Sequence, residues 1–221
     1  MITGKKKPDS EAPEKCETAL LLVDLINPLD FTEAPQLLRY VPRMARALQR
    51  LKKRAQQANV PVIYVNDNFG RWRSDFRAQV EFCVAPDSRG RELVARLQPE
   101  ESDYFVLKPM HSGFFATTLE ILLRHLGVRR LIITGIAGNI CVFFTANDAY
   151  MRDYELLIPG DCVISNTAVE NRQALGLMKK FLKADTRTSS TIGFPGRANK
   201  TRRKRTRPRK GQLTGRGAAN S

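Results

Sequence analysis

Cys141 closes the segment Thr134-Gly135-Ile136-Ala137-Gly138-Asn139-Ile140-Cys141, a setting in which a thiol can act as a nucleophile. Gly135 and Gly138 permit a tight turn from strand into helix, Asn139 stands where an N-cap is needed, and Cys141 then falls in the first helical turn. A sulfur there faces free backbone N–H groups and the positive end of the helix dipole, which favour thiolate over thiol. The same N–H groups could hold a developing oxyanion. An ammonium from Lys108 would lower the thiol's pKa further, and a carboxylate at Asp24 could accept the thiol proton and later return it to a leaving group. Each residue also has an ordinary reading: a small buried hydrophobe for Cys141, a helix cap for Asp24, a solvated loop residue for Lys108 before Pro109.

The other cysteines, Cys16, Cys83 and Cys162, lack that context. No C-x-x-C pair or Cys/His cluster occurs, so neither a disulfide framework nor a metal site is expected. The chain has two histidines, too few for a His-rich site. His125 sits late in a predicted helix, where it suits the helix's end, whereas His111 follows Lys108 in a loop and its part in the chemistry stays open.

Five short apolar runs must position these groups: Thr18–Val23, 61–65, 104–107, 130–134 and 154–158. Continuous apolar runs suit strands covered on both faces. A sixth strand is expected near 186–192. Between the runs lie helix-period stretches: Met44, Leu48, Leu51 and Ala55 share one face after Pro42; Thr117 and Glu120 read as a capping box ahead of Leu119, Leu122, Leu123 and Leu126, with Gly127 as the stop; Thr167 and Glu170 repeat that start signal. Strand–helix alternation implies an α/β fold with a parallel sheet and helices on both faces. Ligands of such sheets bind outside the carboxyl ends of the strands. Asp24, Asn66-Asp67-Asn68, Lys108 and the Gly135 turn all stand at such ends.

A 221-residue chain is ordinarily one domain. The domain is expected over 18–193, between an N-terminal extension (1–17) and a C-terminal tail (194–221), both polar and expected to be disordered. The net charge of +15 belongs mostly to that tail, which from Pro195 onward carries ten Lys and Arg and no acid, leaving +5 for the rest. Such a tail could make non-specific contact with nucleic acid or an anionic surface. With no apolar run long enough for a membrane span and no secretory signal, the expected location is cytoplasmic. A G-x-G-x-x-G motif after the first strand and a P-loop are both missing, so neither NAD nor ATP is indicated.

The motifs Leu20-Leu21-Leu22-Val23-Asp24 with Asn27-Pro28, Lys108 with Ser112-Gly113-Phe114, and Gly135-Ile136-Ala137 before Cys141-Val142 together resemble the isochorismatase-like cysteine hydrolases. The resemblance implies a Rossmann-like three-layer sandwich around a six-stranded, mostly parallel sheet and an Asp-Lys-Cys triad at Asp24, Lys108 and Cys141. It also implies a cis peptide at Ile136–Ala137 that turns the N–H groups of Ala137 and Cys141 into an oxyanion hole. It implies hydrolysis of a small amide, carbamoyl, ureido or related substrate, no cofactor, and assembly as a homo-dimer or tetramer. Asp67-Asn68-Phe69 stands where nicotinamidases carry an Asp-x-His metal motif, so the metal-independent branch is expected. Asn68, Arg71, Trp72 and Phe114 are the expected substrate contacts: Arg71 or Arg73 could pair with a substrate carboxylate and Trp72 offer a stacking face, or else the arginines face solvent and Trp72 fills a subunit interface. The alternative is a catalytically silent binding module of the same fold.

Overall fold

The computed structural model describes residues 15–70 and 75–194. The expectations for Arg71, Trp72 and Arg73, and for most of both termini, lie outside the described residues. Cys16 and Glu17, assigned above to the N-terminal extension, are held in place: Cys16 N donates to Leu126 O (2.9 Å), and Glu17 O accepts from the N–H groups of Arg129 and Arg130.

Six parallel strands form the sheet: β1 (Thr18–Val23), β2 (Val62–Asp67), β3 (Tyr104–Lys108), β4 (Arg130–Ile136), β5 (Glu155–Leu157) and β6 (Val163–Ile164), in the order β3-β2-β1-β4-β5 with β6 also on β4. Along β1, Leu20 and Leu22 face one apolar cluster while Ala19, Leu21 and Val23 face another. Both sides are buried, and no alternation of polarity survives in the sequence. Helices α1 (Ala34–Leu38), α2 (Val41–Gln57), α3 (Phe76–Cys83) and α4 (Arg91–Arg96) cover the first face. Helices α5 (Leu119–Leu126), α6 (Cys141–Tyr150) and α7 (Ala168–Phe181) cover the second. Each fully buried leucine contributes about 1.5–3 kcal/mol by leaving water. Among the described residues no helix is long and apolar enough to cross a membrane.

Three local expectations are corrected. The segment near 186–192 is not a strand; it holds a 3-10 turn at Ser189–Thr191. Its backbone groups are taken by side chains instead of a ladder: Asp161 accepts from Ser189 N (2.7 Å), and the Arg54 guanidinium donates to Ser189 O and Ile192 O. The sixth strand is Val163–Ile164, which uses the edge of β4 that continues past β5. Thr117 does not cap α5: its hydroxyl donates to Gly113 O and accepts from Leu119 N, while Glu120 pairs with Arg124 and Arg152. Asn139 does not cap α6 either, since Ile140 occupies the cap position and Asn139 Oδ1 is buried without a partner. The Thr167–Glu170 capping box does form.

Candidate active site

The sheet brings Asp24, Asp67 and Lys108 together at the carboxyl ends of β1, β2 and β3, and α6 carries Cys141 to the same place. Lys108 is fully buried. Its ammonium lies 2.9 Å from Asp24 Oδ2, 3.4 Å from Asp67 Oδ2 and 3.6 Å from Cys141 Sγ, and it donates to Met110 O (3.2 Å). Asp24, just past β1, has left-handed backbone (φ 50), which Asp tolerates better than most residues. Its N–H donates to Val65 O (3.0 Å) and its Oδ1 accepts from Asp67 N (2.7 Å), so the carboxylate is fixed from both ends. The imidazole Nδ1 of His111 lies 3.8 Å from Cys141 Sγ on the exposed side.

The turn into α6 depends on Gly135, which has φ +119 and sits where a Cβ would come within 2.0 Å of Val23 O. Only glycine permits that contact between β4 and β1. The next peptide, Ile136–Ala137, is cis, as expected. Beyond it the N–H groups of Gly138, Ile140 and Val142 find carbonyls. Among the described residues none takes the N–H of Ala137 or of Cys141. Gly138 has no room for a side chain: a Cβ would lie 2.6 Å from Asn171 Oδ1 and 2.9 Å from Ser165 Oγ.

The charge state of the sulfur differs from the expectation. Cys141 is not depressed toward thiolate; burial, and then the nearby Asp24 carboxylate, push its thiol up to about 12 against the pull of Lys108. Burial is the larger cause; Lys108 pulls the other way while it also pairs with Asp24 and Asp67, and Asp24 bonds the thiol itself. Burial likewise raises Asp24 above the usual carboxylate range although Lys108 opposes it, which makes it a stronger base. Burial works against the Lys108 charge, but the neighbouring acidic groups, Asp24 foremost, outweigh it and hold the ammonium. At rest the sulfur is therefore held as a thiol beside the Lys108 ammonium.

Other expected residues are less directly engaged. Asn68 is buried, and its Oδ1 accepts from Gly70 N (2.9 Å), shaping the turn after β2. Phe114 is buried, with its ring 6.0 Å from Tyr154 and beneath the Arg152 guanidinium (4.9 Å). Asp67 was not singled out beforehand, although its place opposite Lys108 in the β2–β3 register is the signal that finds it. A concavity of about 600 Å³ opens elsewhere, among Arg39, Tyr40, Arg43, Ser165, Asn171 and Arg172. It contains none of the reactive groups, and chemistry, not volume, marks the candidate site.

Residues 18–190 match the model of the isochorismatase domain. The chain belongs to the isochorismatase family. As a member it is 42% identical over 178 residues to the isochorismatase family protein YaaI of Bacillus subtilis, covering 80% of this chain and 97% of that one. A shorter stretch of 63 residues is 46% identical to the ureidoacrylate amidohydrolase RutB of Klebsiella pneumoniae, 28% of this chain and 27% of the relative. The N-carbamoylsarcosine amidase of Thermoplasma acidophilum shares the fold, with a TM-score of 0.62 at 23% identity over 80% of this chain and 99% of that one. The relatives thus include a protein named as an amidohydrolase, and the amidase of Thermoplasma acidophilum shares this chain's α/β architecture.

Proposed function

We propose that this isochorismatase-family chain is a cysteine hydrolase of a small amide, carbamoyl or ureido compound, with Asp24, Lys108 and Cys141 as its catalytic residues. One observation carries the reading: the Cys141 sulfur lies 3.6 Å from a buried ammonium that is itself 2.9 Å from a buried carboxylate. Asp24 takes the thiol proton as sulfur attacks the carbonyl carbon, so thiolate need not exist beforehand; the raised basicity of Asp24 suits that task. Lys108 balances the negative charge that then passes to the carbonyl oxygen. The N–H groups of Ala137 and Cys141 hold that oxygen. Collapse breaks the C–N bond and leaves a thioester, and water cleaves the thioester to return the thiol. Asn68, Arg71 and Trp72 are proposed to line the substrate's path; Asn68 does so through the turn it shapes.

The test is ammonia release from N-carbamoylsarcosine and ureidoacrylate by wild type and Cys141→Ala, with mass spectrometry of the protein during turnover. A Cys141 acyl adduct in wild type and a loss of more than about a thousandfold in the variant are expected. Equal rates in the two proteins would refute the reading. A silent binding module draws support from the protonated resting sulfur; it would show neither turnover nor adduct. We also propose a homo-oligomer, since Ile121, Met151 and Phe181, on or beside the helices of one sheet face, are 70%, 72% and 59% exposed. Sedimentation velocity giving a monomer would exclude it.

A further inference from the structure

Hydrolysis through a thioester moves two protons beyond the one Asp24 takes from the thiol: one must reach the departing nitrogen, and one must leave the attacking water. Asp24 and Lys108 lie beneath the sulfur, 5% and 0% exposed, whereas the leaving group departs toward solvent and water arrives from there. Among the described residues, His111 stands on that outer side, with Nδ1 3.8 Å from Sγ. It is not a free surface histidine. Its ring stacks on Phe144 (centroids 5.6 Å apart), and its loop is tied on both flanks. Lys108 Nζ donates to Met110 O, the Ser112 hydroxyl donates to the Asp148 carboxylate, and Gly113 N donates to Thr145 Oγ1 (3.0 Å). Phe144, Thr145 and Asp148 all belong to α6, the helix that begins at Cys141. Imidazole and sulfur are therefore fixed to one rigid element.

We propose that His111 is a further catalytic residue, the acid–base group on the solvent side of Cys141; this rests on the cysteine-hydrolase reading above. As the tetrahedral adduct collapses and the C–N bond breaks, imidazolium gives its proton to the nitrogen. Neutral His111 then takes a proton from water as the oxygen attacks the thioester carbon. When the C–S bond breaks, sulfur recovers its original proton from Asp24, and both carriers end as they began. Two carriers on opposite sides of one sulfur spare the buried carboxyl from reaching across the substrate.

The experiment uses p-nitrophenyl acetate, whose leaving group departs as an anion without needing a proton. In wild type, Cys141 is acetylated and then freed by water. In His111→Gln, the p-nitrophenolate burst should stay within about threefold, while release of the acetyl group, followed by mass spectrometry, slows by about a hundredfold or more. Added imidazole should restore release in His111→Ala. Unchanged release, or burst and release slowed alike with circular dichroism intact, would overturn the assignment. No acetylation of Cys141 in wild type would overturn the nucleophile itself, a result distinct from the other two.

Discussion

Asp67 and Lys108 are register partners on the last rung of the β2–β3 ladder, and their side chains meet 3.4 Å apart. Lys108 is thereby divided between two carboxylates. Burial, and then Asp24, outweigh what remains of its pull on the sulfur.

Asp24→Asn separates thiol acidity from turnover. Removing the carboxylate deletes a group that raises the Cys141 thiol and leaves Lys108, which lowers it. Iodoacetamide labelling of Cys141 at pH 8 should accelerate by about tenfold, since each tenfold in thiolate corresponds to one pKa unit. Amide hydrolysis should nevertheless fall by about a hundredfold or more because the proton carrier is gone. Slower labelling with retained hydrolysis would contradict the account.

Lys108→Met should destabilise the fold by about 3–5 kcal/mol, because it leaves a buried carboxylate without its cation. Pairing it with Asp24→Asn removes the unpaired charge and should recover part of the loss, read by urea denaturation as a coupling energy. Additive losses would mean that the two side chains do not sense each other.

Alkaline stability follows from the two raised thiols. Burial pushes Cys141 and Cys162 each from 9.0 to about 12, so between those values the unfolded chain has lost protons that the native state keeps. Stability contributed by the protonated thiols is full below pH 9 and declines as pH rises toward 12. Denaturant midpoints of wild type should fall across that window, and Cys141→Ala and Cys162→Ala should each flatten the decline. A slope unaffected by either change would rule out the thiols as its source.

Gly135→Ala should prevent proper folding or cost more than about 4 kcal/mol, since the added methyl would meet Val23 O at 2.0 Å on backbone with φ +119. Thermal melting and soluble yield measure this. A melting temperature within a few degrees of wild type would show that the two strands can separate without penalty.

Removing 195–221 takes away ten Lys and Arg and no acid. Retention on heparin should drop to lower salt while hydrolysis is unchanged. Loss of hydrolysis with retention would tie the tail to the catalytic domain.

The carboxyl ends of β1 and β4 were readable in the sequence because buried strands leave unbroken apolar runs, and β3 leaves one too although Phe105 is exposed. Asp24 and Lys108 stand at such ends, whereas their grouping with Cys141 as a triad came from the family resemblance. Val163–Ile164 was not readable, since two residues carry no period. Thr117 and Asn139 had the right types for caps but are turned elsewhere by Gly113 O and by a cap at Ile140. The shift of Cys141 runs against the expectation because burial, and then Asp24, outweigh Lys108. That burial comes from tertiary packing, and the place of His111 comes from loop ties to α6; neither is a property of local composition.

One level of the sheet aligns three chains at once: Val23 pairs with Gly135, and Gly135 pairs with Val163. Asp24 follows immediately on one side, and the cis turn toward Cys141 follows on the other. Among the described residues, the helices of the crossovers hang from this frame on its two faces. They can lengthen, shorten or change character while the gap between carboxylate and sulfur stays fixed, so new substrates can be accommodated by rewriting the periphery without disturbing the reaction.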